Sequence, residues 1–346
     1  MALIIEGKAS IEVNPAKVVS KKMEVFYNPL MELNRSVSVL LLNSIGKKGM
    51  QIALPLAGTG VRGIRFLKEL DKGIIKSVCM NDYSKKAVSS IKKNLKLNKI
   101  SSKVKVSMND ANLFLLNSKG FDYIDIDPFG SPNPFLDSSA KRLSRNSILA
   151  VTATDTSSLA GSHIKACIRK YWAMPLRTAI MHEIGLRILI RKCQLIAAQY
   201  DKALVPVYSY SSDHYLRVYM ECRKGKSHVD SVLKMHGFHE NAGPLWLGSL
   251  WNTKIAEAVF GLNKEQKYAK FLKTISEESP IDSVGFYHLP SLASRHGNMP
   301  RIGQLISELK SRGFKAARTH FMENSIRSNV PYEGLIEITE KLKFKA

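Results

Sequence analysis

The run Asp125-Ile126-Asp127-Pro128-Phe129-Gly130 follows a strand-like apolar segment and joins a carboxylate, a proline and an aromatic ring in one turn. A carboxylate fixed by proline at a strand end can accept hydrogen bonds from an amine and take its proton. Such a turn suits transfer of a methyl group to an exocyclic amine, which makes Asp127 the candidate catalytic residue. Asp-Pro and Phe-Gly are also common turn chemistry. Three upstream segments decide between the two readings.

Leu56-Ala57-Gly58-Thr59-Gly60-Val61-Arg62-Gly63 is a small-residue loop opening a helix, where Gly58 and Gly60 allow close approach of an adenosine-bearing ligand. Asp82 stands about twenty residues further on, at the next strand end, where a carboxylate receives ribose hydroxyls. Asp110-Ala111 follows the third strand; there a carboxylate and a backbone N–H can read an adenine edge, and Asp110 can equally be a helix N-cap. A nicotinamide enzyme shares the first two sites and has no use for the Asp127 turn, so the set points to S-adenosylmethionine.

These sites need a βαβ framework, and the sequence from about 51 to 154 supplies one by alternating short apolar runs with amphipathic ones. Strands are predicted at 51–56, 75–81, 104–108, 121–126 and 148–154, with an antiparallel pair at 203–210 and 215–222. Helices are predicted from near Pro29 and at 61–70, after a Ser84 cap, at 162–172 and at 177–200. The fold class is therefore α/β, with a smaller C-terminal α+β domain. The boundary is placed in the polar stretch 224–243, giving domains 1–225 and 226–346. In the second, helices are expected at 264–276 and 302–311 and a last strand at Leu335–Ile338. Arg295, Arg301, Arg312, Lys315 and Arg318 suit a winged-helix-like RNA surface or a solvated face.

Several segments together resemble the tRNA (guanine(26)-N2)-dimethyltransferase family of class I methyltransferases. They are Glu6-Gly7-Lys8, Val25-Phe26-Tyr27-Asn28-Pro29, Asn34-Arg35, Gly60 to Arg65, Asn81-Asp82, Asp127 to Pro132, Ala242 to Trp246 and Arg318 to Phe321. The resemblance implies a Rossmann-like sheet, S-adenosylmethionine as cofactor and tRNA as partner. It implies that Arg35, Arg62, Asp82, Asp110 and Ala111 contact the cofactor, that Asp127 is catalytic, and that Phe26 and Phe129 line the guanine pocket with Asn28 beside them. Two departures stand out. Leu54 occupies a position where the family carries an acidic residue, and the cysteine pairs of many archaeal-type members before Ala-Gly-Pro-Leu-Trp are missing, so no structural metal is expected.

Composition agrees with a polyanionic partner. The 346 residues carry 52 Lys+Arg against 29 Asp+Glu, a formal charge of +23. Four scattered cysteines exclude a disulfide scaffold. No apolar run reaches membrane-spanning length and no signal peptide opens the chain, so a soluble, cytoplasmic protein is expected; a monomer is the expected state. The other functions compatible with the residues are methylation of another base amine and a tRNA-binding protein or chaperone with little or no turnover.

Overall fold

Near-continuous apolar runs become buried parallel strands because helices cover both faces of such a sheet. In β6, for instance, Tyr123, Ile124 and Ile126 are fully buried. The computed structural model describes residues 2–13, 25 and 27–343. Along the chain it places β1 (Ala2–Glu6), β2 (Ala9–Val13), a 3-10 turn (Pro29–Met31), α1 (Glu32–Ile45), β3 (Met50–Leu54), α2 (Val61–Glu69), β4 (Ile75–Asp82), α3 (Lys85–Leu97), β5 (Val104–Met108), α4 (Ala111–Leu116), β6 (Phe121–Ile126), α5 (Asn133–Arg142) and β7 (Leu143–Ala153). There follow α6 (Thr156–Leu159), α7 (Ile164–Tyr171), α8 (Met181–Ala198), β8 (Lys202–Ser212), β9 (Tyr215–Lys224), α9 (Lys226–Leu233), β10 (His236–His239) and β11 (Ala242–Trp246). The chain continues through α10 (Thr253–Leu262), α11 (Gln266–Glu278), β12 (Tyr287–His288), α12 (Leu289–His296), α13 (Ile302–Ser311), β13 (Ala316–Arg318), β14 (Ser325–Ser328) and α14 (Tyr332–Lys343).

The main sheet has the order β5-β4-β3-β6-β7-β9-β8. The pairs β3–β4, β4–β5, β3–β6 and β6–β7 are parallel. The chain runs outward from β3 through β4 and β5, then returns to β6 on the other side. This reversal opens a crevice at the carboxyl ends of β3 and β6, where ligands of open α/β sheets bind. The predicted α/β class holds. Ser84 caps α3 by accepting from the Ala87 N–H, and Val88, Ile91 and Leu95 point inward at helical spacing.

The chain divides into two compact units, Met1–Asp155 with 192–205 and 217–234, and 156–191 with 206–216 and 235–346. The predicted boundary at 225/226 falls inside the first unit, just ahead of α9. The second unit draws in residues 156–191, because Glu183 on α8 pairs with Arg327 on β14. Within this unit β12-β14-β13 form one sheet. The succession α11-β12-α12-α13-β13-β14 is the winged-helix order. Leu289, Leu305, Leu309, Ile326 and Leu335 share its core.

The strand expected at Leu335–Ile338 is instead part of α14. Leu335 and Ile338 are buried while Glu337 is exposed, a three-residue spacing that a helix satisfies and that a short apolar run conceals. β7 also begins five residues before the predicted 148, and α10 stands where no helix is predicted. No helix among the described residues is long and apolar enough to cross a membrane.

Candidate active site

At the β6 end, Asp127 Oδ2 accepts a hydrogen bond from Arg62 Nη2 at 2.5 Å. The two line a cleft together with Asn28, Arg35, Leu54 and Gly58. Arg62 is supplied by the first turn of α2 and is itself buried. Its Nη1 donates to Ser38 Oγ at 2.8 Å and lies 3.4 Å from Asp125 Oδ2. Asp127 keeps a side-chain exposure of 20%, so it is the carboxylate of this group that a ligand can reach.

Behind Arg62 stands a fully buried pair. Arg217 on β9 grips Asp125 with two bonds, 2.9 Å to Oδ1 and 2.7 Å to Oδ2, and also donates to Thr152 Oγ1. The Tyr123 hydroxyl donates to Asp125 Oδ2 at 2.5 Å. Burial alone pushes the Asp125 carboxyl up, and the Arg217 and Arg62 guanidiniums outweigh it, holding the group below its usual range. Conversely, burial weakens the Arg62 cation, while Asp125 and Asp127 more than restore it. Arg62 is thus a permanent cation with two anions on one side.

The turn itself is clamped to β7. The Gly130 N–H donates to Thr154 Oγ1 at 2.6 Å and the Thr154 N–H returns a bond to the Gly130 carbonyl. Gly130 has φ +82°, which a side chain rarely adopts. Phe129 is 38% exposed at this turn.

On the opposite wall, Gly58 and Gly60 have φ of +55° and +80°. The Gly58 N–H donates to Asp82 Oδ2 and the Ser84 N–H to Oδ1, at 2.9 and 3.0 Å. Each oxygen of Asp82 retains acceptor capacity for a hydroxyl. The Asn81 amide donates to the carbonyls of Pro55 and Asn109, tying the ends of β3, β4 and β5 together. Asp110 is an N-cap, its Oδ1 accepting from the N–H groups of Asn112 and Leu113; Ala111 behind it is buried.

Arg35 is engaged more tightly than the sequence suggests. Its guanidinium is bidentate to Glu6, at 2.6 and 2.5 Å, and donates to the Asn28 carbonyl. Burial raises the Glu6 carboxyl, and Arg35 and Arg65 bring it below the usual range. This clamp anchors the β1–β2 hairpin to α1 and fixes Asn28 at the cleft. Phe26 lies outside the described residues.

The structure therefore brings Asn28, Arg35, Gly58, Arg62 and Asp127 to one cleft, with Asp82 bonded to its glycine wall. Asp110, Ala111 and Phe129 occupy neighbouring strand ends. Sequence reasoning missed Ser38, Asp125, Thr154 and Arg217. Arg217 and Asp125 carried a signal, each as a charged residue inside the apolar run of its strand, β9 or β6. Leu54 is buried and contributes an apolar patch to the cleft. The Thr59 hydroxyl on the same wall is buried without a hydrogen-bond partner among the described residues. An orphaned hydroxyl, two glycines at positive φ and a carboxylate with spare lone pairs fit a nucleoside-bearing cofactor. The described residues contain no group of three or more His, Cys, Asp or Glu that could hold a metal.

A family model described as N2,N2-dimethylguanosine tRNA methyltransferase matches residues 7–241 and 234–340. The chain is 36% identical to the tRNA (guanine(26)-N(2)/guanine(27)-N(2))-dimethyltransferase of Aquifex aeolicus, over 99% of this chain and 96% of that one. It is 37% identical to the tRNA (guanine(26)-N(2))-dimethyltransferase of Methanothermobacter thermautotrophicus, over 99% and 98%. The solved structure of Trm1 from Pyrococcus horikoshii with S-adenosyl-L-methionine superposes with a TM-score of 0.88 at 33% identity, covering 98% of this chain and 99% of that one.

Proposed function

Since this chain belongs to the N2,N2-dimethylguanosine tRNA methyltransferase family, we propose that it transfers methyl groups from S-adenosylmethionine to the exocyclic N2 of guanine 26 in tRNA, giving N2-methyl- and then N2,N2-dimethylguanosine. The observation that carries this reading is the Arg62–Asp127 pair, standing in the cleft beside the glycine loop and Asp82.

Guanine N2 is a weak nucleophile because its lone pair is delocalised into the ring. Asp127 answers that weakness. Arg62 occupies Oδ2, leaving Oδ1 to accept a hydrogen bond from the amino group and favour a more pyramidal nitrogen. As the N–C bond forms, the amino proton passes to the Asp127 carboxylate; positioned acid–base help of this kind contributes about 10²–10⁴-fold. S-adenosylmethionine supplies the sulfonium-activated methyl, whose C–S bond breaks as the thioether leaves. Gly58, Gly60, Asp82, Asp110 and Ala111 hold its adenosine part, and Arg35 and Arg62 its charged end. Asn28, Phe129 and Phe26 receive the flipped guanine, which needs apolar faces and a hydrogen-bonded edge.

The C-terminal unit adds exposed Arg295, Arg301, Arg312, Lys315 and Arg318 as a tRNA-contacting surface, and the enzyme acts as a cytoplasmic monomer without metal. Incubation of a tRNA transcript with the protein and labelled S-adenosylmethionine, followed by nucleoside mapping, tests the reading. Dimethylguanosine at position 26 is expected. A protein that binds the cofactor and transfers nothing would be a binder of tRNA rather than an enzyme, and label on an adenine would move the activity to another base.

A further inference from the structure

Helix α7 breaks the usual economy of a surface helix. Ile164 and Ile168 stand one turn apart on α7, Trp172 follows at its C-terminal end, and the three are 46%, 43% and 50% exposed. Trp172 is also the C-terminal cap, with φ +58° and ψ +39°. That left-handed position is where glycine is normally found, since a Cβ there is penalised and a bulky side chain is an outlier. The chain thus holds an aromatic ring at the surface in a conformation that disfavours it. Outliers of this kind motivate a search for function.

The surroundings name the partner. From Thr156 to His182 the sequence has no Asp or Glu, while Lys165, Arg169, Lys170 and Arg177 are all exposed. Arg191 donates to the Trp172 carbonyl. Two residues beyond the tryptophan, Met174, 41% exposed, pairs with Gly243. Phe238, 68% exposed, lies against that glycine. Apolar and aromatic side chains interleaved with exposed cations form a surface for single-stranded or unstacked nucleic acid. A second copy of the chain would set like charges face to face.

We propose that exposed Ile164, Ile168, Trp172 and Met174 form a tRNA-contact surface separate from the winged-helix segment. Lys165, Arg169, Lys170 and Arg177 neutralise phosphates, and the Trp172 ring stacks on an exposed nucleobase. The proposal rests on the reading that the substrate is tRNA.

Trp172→Gly gives an unusual test, because it relieves the left-handed cap while removing the ring. The thermal midpoint should equal or exceed that of the parent, whereas affinity for a tRNA transcript should fall about 5- to 150-fold, the range of one lost base stack. Trp172→Phe should recover most of it. Arg169→Gln with Lys170→Gln should lower the slope of log affinity against log salt by about 0.7–0.9 per charge removed. Trp246 and Trp251 are buried, so acrylamide quenching reads Trp172, and tRNA should protect it. Parent-like affinity in Trp172→Gly would overturn the proposal, as would a concentration-dependent dimer lost in that variant with tRNA binding intact. A parent protein that fails to bind tRNA at all would sink the substrate reading and this surface together. Measuring binding in the Asp127→Ala background separates loss of contact from loss of chemistry.

Discussion

Each unit contains a buried cluster of arginines and carboxylates, and the two are finished differently. In the second unit, Glu183 accepts from Arg187, Arg327 and the Gly285 N–H, and Glu278 accepts from Arg327, Thr319 and His320. Every side chain in that set except Thr319 is within a few per cent of complete burial, and Arg187 and Arg327 spend their remaining donors on backbone carbonyls. In the first unit, Arg217 and Asp125 are buried as completely, with Arg217 Nε left without a hydrogen-bond partner among the described residues, yet the chain of charges continues through Arg62 to Asp127 and there reaches the cleft. A closed cluster fixes the packing of its elements. An open one keeps a charged group rigid and reachable, which is what preorganised chemistry requires.

The largest expected break in this contrast is Arg327→Met. It takes the shared guanidinium from both Glu183 and Glu278, leaving them Arg187 and His320, and losing one partner of a buried pair costs about 3–5 kcal/mol, readable as a fall in the urea midpoint. Arg62→Lys is expected to act the other way. The charge survives, so stability should change by less than about 1 kcal/mol, whereas the loss of the two-pronged grip on Asp127 and Ser38 should lower kcat about 10- to 100-fold. A large stability loss with normal turnover would place Arg62 in the closed class.

Acid should weaken both clusters. Burial raises the Glu183 carboxyl, and Arg327 and Arg187 pull it down from the ordinary 4.5 to about 2. A depressed folded-state value means that its contribution is complete above about pH 4.5 and is lost as pH falls toward about 2. Asp125 is shifted the same way. Urea midpoints should therefore be level near neutrality and decline below about pH 4.5. A midpoint rising through that range would contradict the ion-paired account of both clusters.

The smallest effect belongs to Asp110. Asp110→Ala should cost about 1 kcal/mol through loss of the α4 cap, and Asp110→Asn should restore the stability. If the side chain also reads the cofactor, Asn will restore the fold while leaving cofactor affinity reduced. Full rescue of both would leave it a cap alone.

Local chemistry was legible in the sequence. The glycine loop, Asp82 and the Asp127 turn each declare themselves within a few residues, and buried parallel strands announce themselves as apolar runs. What the sequence conceals is pairing at a distance. Arg217 and Asp125 are 92 positions apart and Arg62 and Asp127 are 65 apart, so nothing local marks Asp125 as the support of Arg62. Leu335–Ile338 shows the same limit in another form. Four residues of mixed apolar character have no period of their own, and only the core of the second unit makes them a helix.

The role proposed for Asp127 in methyl transfer is that of the most accessible member of an otherwise buried charge network. Single-turnover transfer of labelled methyl to a tRNA transcript, measured for Asp127→Ala beside direct binding of S-adenosylmethionine, tests it most directly. The rate should be lower by about 10²-fold or more, with an unchanged unfolding midpoint and retained cofactor binding. A near-parental rate in that variant would contradict it.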